Sequence, residues 1–421
     1  MKLRNSLKKL CNYKLFLIYL VIYFIYLHLS STFQGYWSDM ECWKSWASYE
    51  LEYGLNHAYK SGTDYLPLYH YVLYLFAKIQ GNVEAIAAHI YLLRYFTLFI
   101  EFIAGFFLLK LIYDWNKNMC QSILYSLIYF LNIFMFYNSL IWGQIDGILA
   151  GLLFISFYFA FKQKISWSVT FYILALNLKL QAIIFLPVIG LILLPTMIGR
   201  FSWKNLFSWL WFPVYLQFFI LIPFIIAGDM DRLWMVVTKS ASRYPVVSMN
   251  AFNVWDLFLR GDLLHTSDMQ TFGDISYYHW GLIMFFISSF FALFYLLKIN
   301  YQQFKNIKEV LSLEKTLLIA GLIPLLFFYF NTQMHERYVH PALIFLACYS
   351  IFSKDYLPYI LLSIAYFINM ETVLNQFNLF GFESIRVICS MLYLIVIMSI
   401  FTELYRKNGE RRYKKKEYET Q

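Results

Sequence analysis

Long apolar runs alternate with short polar breaks along the whole chain. They fall at about 14–30, 84–113, 119–141, 145–161, 165–178, 182–198, 205–227, 276–298, 316–332, 338–352, 356–370 and 386–404. A hydrocarbon core of ~30 Å takes about 20 apolar residues in a helix. The pattern therefore predicts an all-α polytopic membrane protein with about twelve transmembrane helices. Two long polar connections interrupt it, 31–83 and 228–275. A β-barrel would instead show short segments of strict alternation. The segment 67–79, PLYHYVLYLFAKI, is too short to span and predicts an amphipathic helix lying in the interface. The first apolar run has the basic front of a signal peptide without a small-residue cleavage site, which predicts an uncleaved first helix. There is no fixed-period repeat and no low-complexity linker, so residues 1–421 read as a single integral membrane domain.

Composition agrees with that pattern. The chain is 60% hydrophobic, against about 45–50% in soluble domains. Only 14% of it is charged, and the placement of the net charge of +9 sets an orientation. Lys2, Arg4, Lys8, Lys9 and Lys14 crowd the start, while Arg406, Lys407, Arg411, Arg412 and Lys414 to Lys416 fill a basic tail over 405–421. Basic residues beside spans mark the cytoplasmic side, so both termini are expected inside, with an even number of crossings. The connections carrying Lys110 and Lys117, Lys162 and Lys164, Arg200 and Lys204, and Lys298 to Lys315 then fall inside, as does Lys354. The two long acid-rich connections fall outside. Anionic lipid headgroups account for the basic ends, and nucleic acid is not an expected partner. The cysteines Cys11, Cys42, Cys120, Cys348 and Cys389 are scattered and form no disulfide or metal pattern.

Polar clusters recur at the ends of runs that this orientation places outside. Trp37 to Glu41 brings Asp39 and Glu41 two residues apart. On an extended loop both carboxylates would point one way, and on a helix they would diverge. Such a pair either binds a cation, deprotonates a hydroxyl or holds sugar hydroxyls, or else is two solvated loop acids. Asp64 and Tyr65 follow in the same connection. In 142–147, WGQIDG, two glycines allow a tight turn that aims Gln144 and Asp146 into a cavity; a plain hairpin with a capping aspartate reads equally well. Lys179, between two short apolar runs, needs an anion at that depth unless it snorkels to water, and Gln181 stands beside it. His335, Glu336, Arg337 and Tyr338 put imidazole, acid and base together at the start of a run. Their histidine spacing is not that of a zinc site, and a salt-bridged helix start is the plain alternative. Arg243, Asn253 and Trp255 lie in the second long connection, where packing on the membrane would also explain them.

Taken in order, these stretches resemble membrane glycosyltransferases of the GT-C fold. The likeness is to the bacterial mannosyltransferase-like families and to the dolichyl-phosphate-glucose-dependent glucosyltransferases of N-glycan assembly. Asp64-Tyr65-Leu66-Pro67-Leu68 is similar to the family's D-Y-P-P-L, with Leu66 in place of the first proline. LKLQAIIFLP resembles K-x-x-A-x-x-x-x-P, MHERY resembles the late H-E-K or H-E-R-Y motif, and WGQIDG and Arg243…Asn253-Val254-Trp255 stand at the matching places between them.

The resemblance implies an inverting transferase at the extracytoplasmic face of a bacterial plasma membrane. It would move a hexose from a polyprenyl-phosphate-linked sugar to a hydroxyl of a cell-envelope or lipid-linked glycan acceptor. It gives Asp39 the role of general base. Lys179 is then the first cation for the leaving phosphate, with Arg337 and Arg243 behind it. Glu41, Asp64, Tyr65, Gln144, Asp146, Gln181, Asn253, Trp255, His335, Glu336 and Tyr338 would bind donor or acceptor. No cofactor is expected, and a divalent metal is not favoured because the acidic pair has no clear third ligand. Other readings are an acyl- or phospho-group transferase, a lipid-linked polysaccharide polymerase, which would favour arginine-rich outer loops, and a transporter or flippase of lipid-linked sugars, which would favour inverted repeats.

Overall fold

A computed structural model describes residues 17–240, 243–305 and 311–406. The basic residues before Leu17, those after Arg406, Lys308 and Cys11 lie outside them.

Helix α1 (Leu17–Ser30) leads into α2 (Trp37–Tyr53), which occupies the stretch expected to be a loop. Its periodicity explains why. Met40, Trp43, Trp46, Ala47 and Glu50 recur at helical spacing and are its buried face. A 3₁₀ turn (Leu55–Ser61) joins it to α3 (Pro67–Gln80). Proline near the N-terminus starts α3 and a left-handed Gly81 ends it. This is the short helix that the sequence predicts there.

The apolar run at 84–113 is broken. Asn82 caps a short α4 (Val83–Ala88), a turn follows, and α5 (Leu93–Asn116) then runs unbroken. Next, α6 (Met119–Phe130) and α7 (Ile133–Trp142) form one bent unit with a 46° angle between its halves. The Asn132 side chain accepts from the Phe134 N–H at the break, and Phe136–Trp142 is π-helical. Short helices α8 (Asp146–Phe161) and α9 (Ile165–Leu178) follow. After Lys179, α10 (Leu180–Gly199) opens on a 3₁₀ turn, and α11 (Trp203–Ile226) is long and apolar. The second long connection holds an amphipathic α12 (Met230–Lys239) and a one-turn α13 (Trp255–Phe258). The rest is α14 (Tyr277–Phe304), α15 (Leu313–Phe330), α16 (His340–Ser353), α17 (Leu357–Leu374) and α18 (Phe382–Tyr405).

The molecule is a multi-pass α-helical membrane protein. Among the described residues seven helices are long and apolar enough to cross a bilayer, or eight with the bent α6–α7 unit counted as one. Four further apolar helices, α1, α8, α9 and α16, are shorter. The expected figure of about twelve crossings is thus not reached by the helices of full spanning length. The short ones have an identifiable reason. Within the bundle α8 packs against α5, α9 and α16, and α16 also packs against α15. All residues of α16 but the last are buried, as are nearly all of α8, so both are apolar all round, as central helices must be. Three of them stop at one end of the bundle: α8 begins at Asp146, α9 ends at Leu178 and α16 begins at His340. A cavity opens beside these ends, with Leu178 at the end of α9 and Tyr338 just before α16 among its lining residues.

Sheet is confined, among the described residues, to four two-residue strands. The pairing that matters here joins Ser248–Met249 in parallel with Met334–His335, tying the second long connection to the stretch before α16.

Candidate active site

The cavity has a volume of about 720 Å³. Asp39, Asp64, Tyr65, Lys179, Gln181, Arg243, His335, Arg337 and Tyr338 all line it, drawn from positions as far apart as 39 and 338. Apolar residues line it as well, among them Ile183 and Ile184 of α10, Val236 and Val237 of α12, Leu282 of α14 and Phe327 of α15.

Asp39 sits in the first turn of α2, where a carboxylate is favoured by the helix dipole. Its Oδ2 accepts from Trp142 Nε1 at 2.7 Å and from Gln144 Nε2 at 2.6 Å. Both donors are neutral, so the half-buried carboxylate is oriented without an ion pair.

The backbone that brings these groups together is tightly made. The Tyr36 N–H donates to the Trp142 carbonyl at 2.9 Å. Arg94, fully buried, donates through Nη1 to the Ser30 and Phe33 carbonyls at 2.6 and 2.7 Å. Gly143 ends α7 in the left-handed region at φ 83°, and a Cβ there would lie 2.8 Å from Arg94 Nε. Only glycine fits both constraints. Gly147 is packed as closely: its Cβ would lie 2.2 Å from Glu101 Oε1.

The cationic wall is built differently. Lys179 has an extended backbone between α9 and α10, and its Nζ donates to Asp146 Oδ1 at 2.6 Å. Arg337 Nε lies 3.6 Å from the other Asp146 oxygen, and its Nη1 donates to Glu336 Oε1 at 2.7 Å. The Arg337 guanidinium stands 4.8 Å from the centre of the Trp142 ring, a cation–π contact. Gln181 Nε2 donates to the Tyr338 carbonyl at 2.8 Å, which joins α10 to the turn before α16.

Burial lowers the Lys179 ammonium below the usual lysine range; Asp146 opposes this and Arg337 adds to it. Burial also holds the His335 imidazole well below its ordinary value, reinforced by Arg337 and Lys179, so it is neutral at pH 7. For Arg337 the burial effect is outweighed by Glu336, Asp39 and Asp146, which raise it. The Asp39 carboxylate acts electrostatically on both Lys179 and Arg337, which places acid and cations within one field.

Asp64 Oδ2 pairs with Arg243 Nε at 3.0 Å, linking the two long connections at the cavity. Behind Asp64 is a buried relay. Glu50 Oε1 and His70 Nδ1 are 2.6 Å apart, His70 Nε2 is 3.2 Å from Thr63 Oγ1, and that oxygen accepts the Tyr65 N–H at 3.1 Å. The relay ties α2, α3 and the Thr63–Tyr65 turn together.

Other predicted site residues are not on the cavity. Because residues 39–41 are helical, Glu41 diverges from Asp39, is exposed, and pairs with Lys44 at 2.7 Å. Asn253 is buried and donates to the Phe328 and Asn331 carbonyls, and Trp255 Nε1 donates to the Phe330 carbonyl at 3.1 Å. These two fasten the second connection to the end of α15. Gln144, Asp146 and Glu336 are buried behind the wall and reach the cavity through Asp39, Lys179 and Arg337.

Sequence reasoning misses Cys42, Trp43, Trp46, Tyr244, Thr332 and Gln333, which line the cavity; Ser38, which also lines it, and Trp142, which holds Asp39, stand in the polar clusters but carry no assigned role there. The helical period through Met40, Trp43, Trp46 and Ala47 is the signal that could have found the α2 members. Among the described residues no three His, Cys, Asp or Glu side chains are grouped to hold a metal ion.

These features describe a multi-pass membrane protein with a polar, charged cavity at one end of its helix bundle. The chain matches no protein-family model, and no curated protein matches it.

Proposed function

We propose that this protein is an inverting glycosyltransferase of GT-C architecture that takes its sugar from a polyprenyl phosphate. The observation that carries the reading is the joint placement of Asp39 with Lys179 and Arg337 in one cavity that apolar residues also line. A lipid-phosphate sugar needs all three surfaces: cations for phosphate, an apolar wall for the chain, and a base for the acceptor.

In this reaction an acceptor hydroxyl attacks the anomeric carbon and its proton passes to Asp39. The new carbon–oxygen bond forms on the face opposite the bond that breaks, which inverts the centre. The electron pair of the broken bond stays on the phosphate oxygen, so the phosphodiester monoanion leaves as a phosphomonoester dianion. Lys179 and Arg337 stabilise that added charge, an electrostatic effect strengthened by their low-dielectric setting. Neutral donors on Asp39 leave its charge available for the proton.

Counting α1, α8, α9 and α16 as crossings brings the total to twelve, an even number. With basic ends inside, the cavity then opens on the extracytoplasmic face. A nucleotide sugar is confined to the other side, which is why the donor would be lipid-borne. A glycan of the cell envelope is the acceptor class on that face.

The test is mass spectrometry of cell-envelope glycans with and without the gene, joined to transfer from a synthetic polyprenyl-phosphate hexose by purified protein. Loss of one sugar and transfer with inverted configuration are expected. An unchanged glycan profile with no transfer would overturn the reading.

A further inference from the structure

Among the described residues, Asp146 is the carboxylate that reaches both Lys179, at 2.6 Å, and Arg337, at 3.6 Å, and it is fully buried behind them. Lys179 itself lines the cavity. Its ammonium has three N–H donors, and the hydrogen bond to Asp146 uses one. Asp146 also has a partner that does not depend on Lys179, since Asn138 Nδ2 donates to its Oδ2 at 3.4 Å.

We infer that Asp146 is an exchangeable counter-ion, which holds Lys179 until a phosphate group arrives in the cavity and then yields it to that phosphate. This rests on the reading that the cavity takes a phosphate-bearing lipid. The two anions compete for the same ammonium. When Lys179 turns towards phosphate, Asp146 keeps Arg337 and Asn138, so no buried carboxylate is left without a partner. Lysine suits such a handover because it is a point charge on a flexible stem, unlike the planar fork of arginine.

The competition has a kinetic role. Sugar transfer raises the charge on the lipid phosphate from one to two, so two unopposed cations would bind the product more tightly than the donor. A resident carboxylate that retakes Lys179 weakens the hold on the product and speeds its departure. Asp146 is therefore a positioning residue for Lys179, and its removal is expected to lower KM and kcat together.

The test measures binding of farnesyl phosphate, farnesol and inorganic phosphate to the full-length protein in detergent, wild type against Asp146→Asn. The variant is expected to bind farnesyl phosphate about tenfold tighter or more, since one opposing charge beside Lys179 is gone. Inorganic phosphate should also gain, and farnesol, which has no charge, should not. Asp146→Ser, which keeps an acceptor without the charge, carries the same expectation should the amide variant not fold. A folded variant whose phosphate affinity is unchanged or weaker overturns the inference. If the wild type meanwhile prefers farnesyl phosphate to farnesol, the glycosyltransferase reading stands. No preference for phosphate in wild type or variant removes both. A preference that appears only in the variant would show that Asp146 does not yield Lys179 to phosphate, and overturns the inference.

Discussion

Two aspartates that meet at the turn after α7 are used in opposite ways. Asp39 is held by the side chains of Trp142 and Gln144, and Asp146 stands just beyond them in the chain. Asp39 is half-buried, accepts from neutral groups and faces the cavity. Asp146 is fully buried, is paired with one cation, has a second within 3.6 Å, and stands behind the wall. The same functional group is held by neutral donors in one place and committed to charge balance in the other. What decides between them is the partner set. Neutral donors orient a carboxylate without neutralising it, whereas the Lys179 ammonium at 2.6 Å takes up the charge of Asp146.

Asp39→Asn should be the most damaging substitution. The amide can still accept from Trp142 but cannot take a proton, and transfer should fall by about 10³-fold, within the usual range for a general base. Binding of farnesyl phosphate should persist. Single-turnover transfer at wild-type rate would end the base assignment.

Lys179→Ala comes next. It should weaken the donor side by about a hundredfold, the scale of one charge-assisted hydrogen bond to phosphate, and leave the neutral acceptor nearly untouched. The substitution also takes the cation from Asp146 Oδ1 and leaves Arg337 and Asn138 on the other oxygen; breaking a buried pair in this way costs up to about 3–5 kcal/mol of stability. Adding Asp146→Asn to the same molecule should restore the melting temperature without restoring donor affinity. Equal losses for donor and acceptor would make Lys179 purely structural.

Trp142→Phe is milder and tests what orients Asp39. It removes the Nε1 donor while keeping an aromatic face for Arg337. Gln144 still holds the same oxygen, so kcat should drop about tenfold, the worth of one hydrogen bond to a charged group. Acceptor KM should change little. A variant as active as wild type would show that Gln144 alone suffices.

Apolar periodicity makes the helices legible. The predicted runs at 145–161 and 165–178 coincide with α8 and α9 within a residue, because helices deep in the bundle or facing lipid are apolar on every side. The polar half of α2 reads as loop, since its acids and serines mask a buried stripe that begins only at Met40. The break at His89 is illegible for a related reason: apolar residues continue through it, and a short capped turn leaves hydropathy unchanged. At the site, residue types that are rare in a bilayer are informative. Lys179, Asp39 and Arg337 stand out because an ionisable group at that depth needs a partner. Which partner each one takes is not legible, as Asp146 shows, because pairing depends on helices brought together from distant parts of the chain. Asn253 and Trp255 mislead for the complementary reason: a buried amide and indole satisfying backbone carbonyls look, in sequence, like groups waiting for a ligand.

Glu41 is the residue whose substitution should matter least. Two residues from Asp39, it would share the cavity on an extended chain, but on a helix two residues turn the side chain by about 200°. It accordingly points to water and pairs with Lys44 three residues on. Exposed pairs of this kind contribute ~0–1 kcal/mol. Glu41→Gln should therefore change transfer by less than about twofold and leave the melting temperature within experimental scatter. The assay is the same one used for Asp39→Asn, so the two variants can be compared at equal protein concentration. A loss for Glu41→Gln approaching that of Asp39→Asn would mean that α2 unwinds at its first turns when substrate binds, bringing both carboxylates to one side. Inactivity of the first variant beside full activity of the second would place the chemistry in the partners of a carboxylate and its side of the helix, and not in acidity of the segment as a whole.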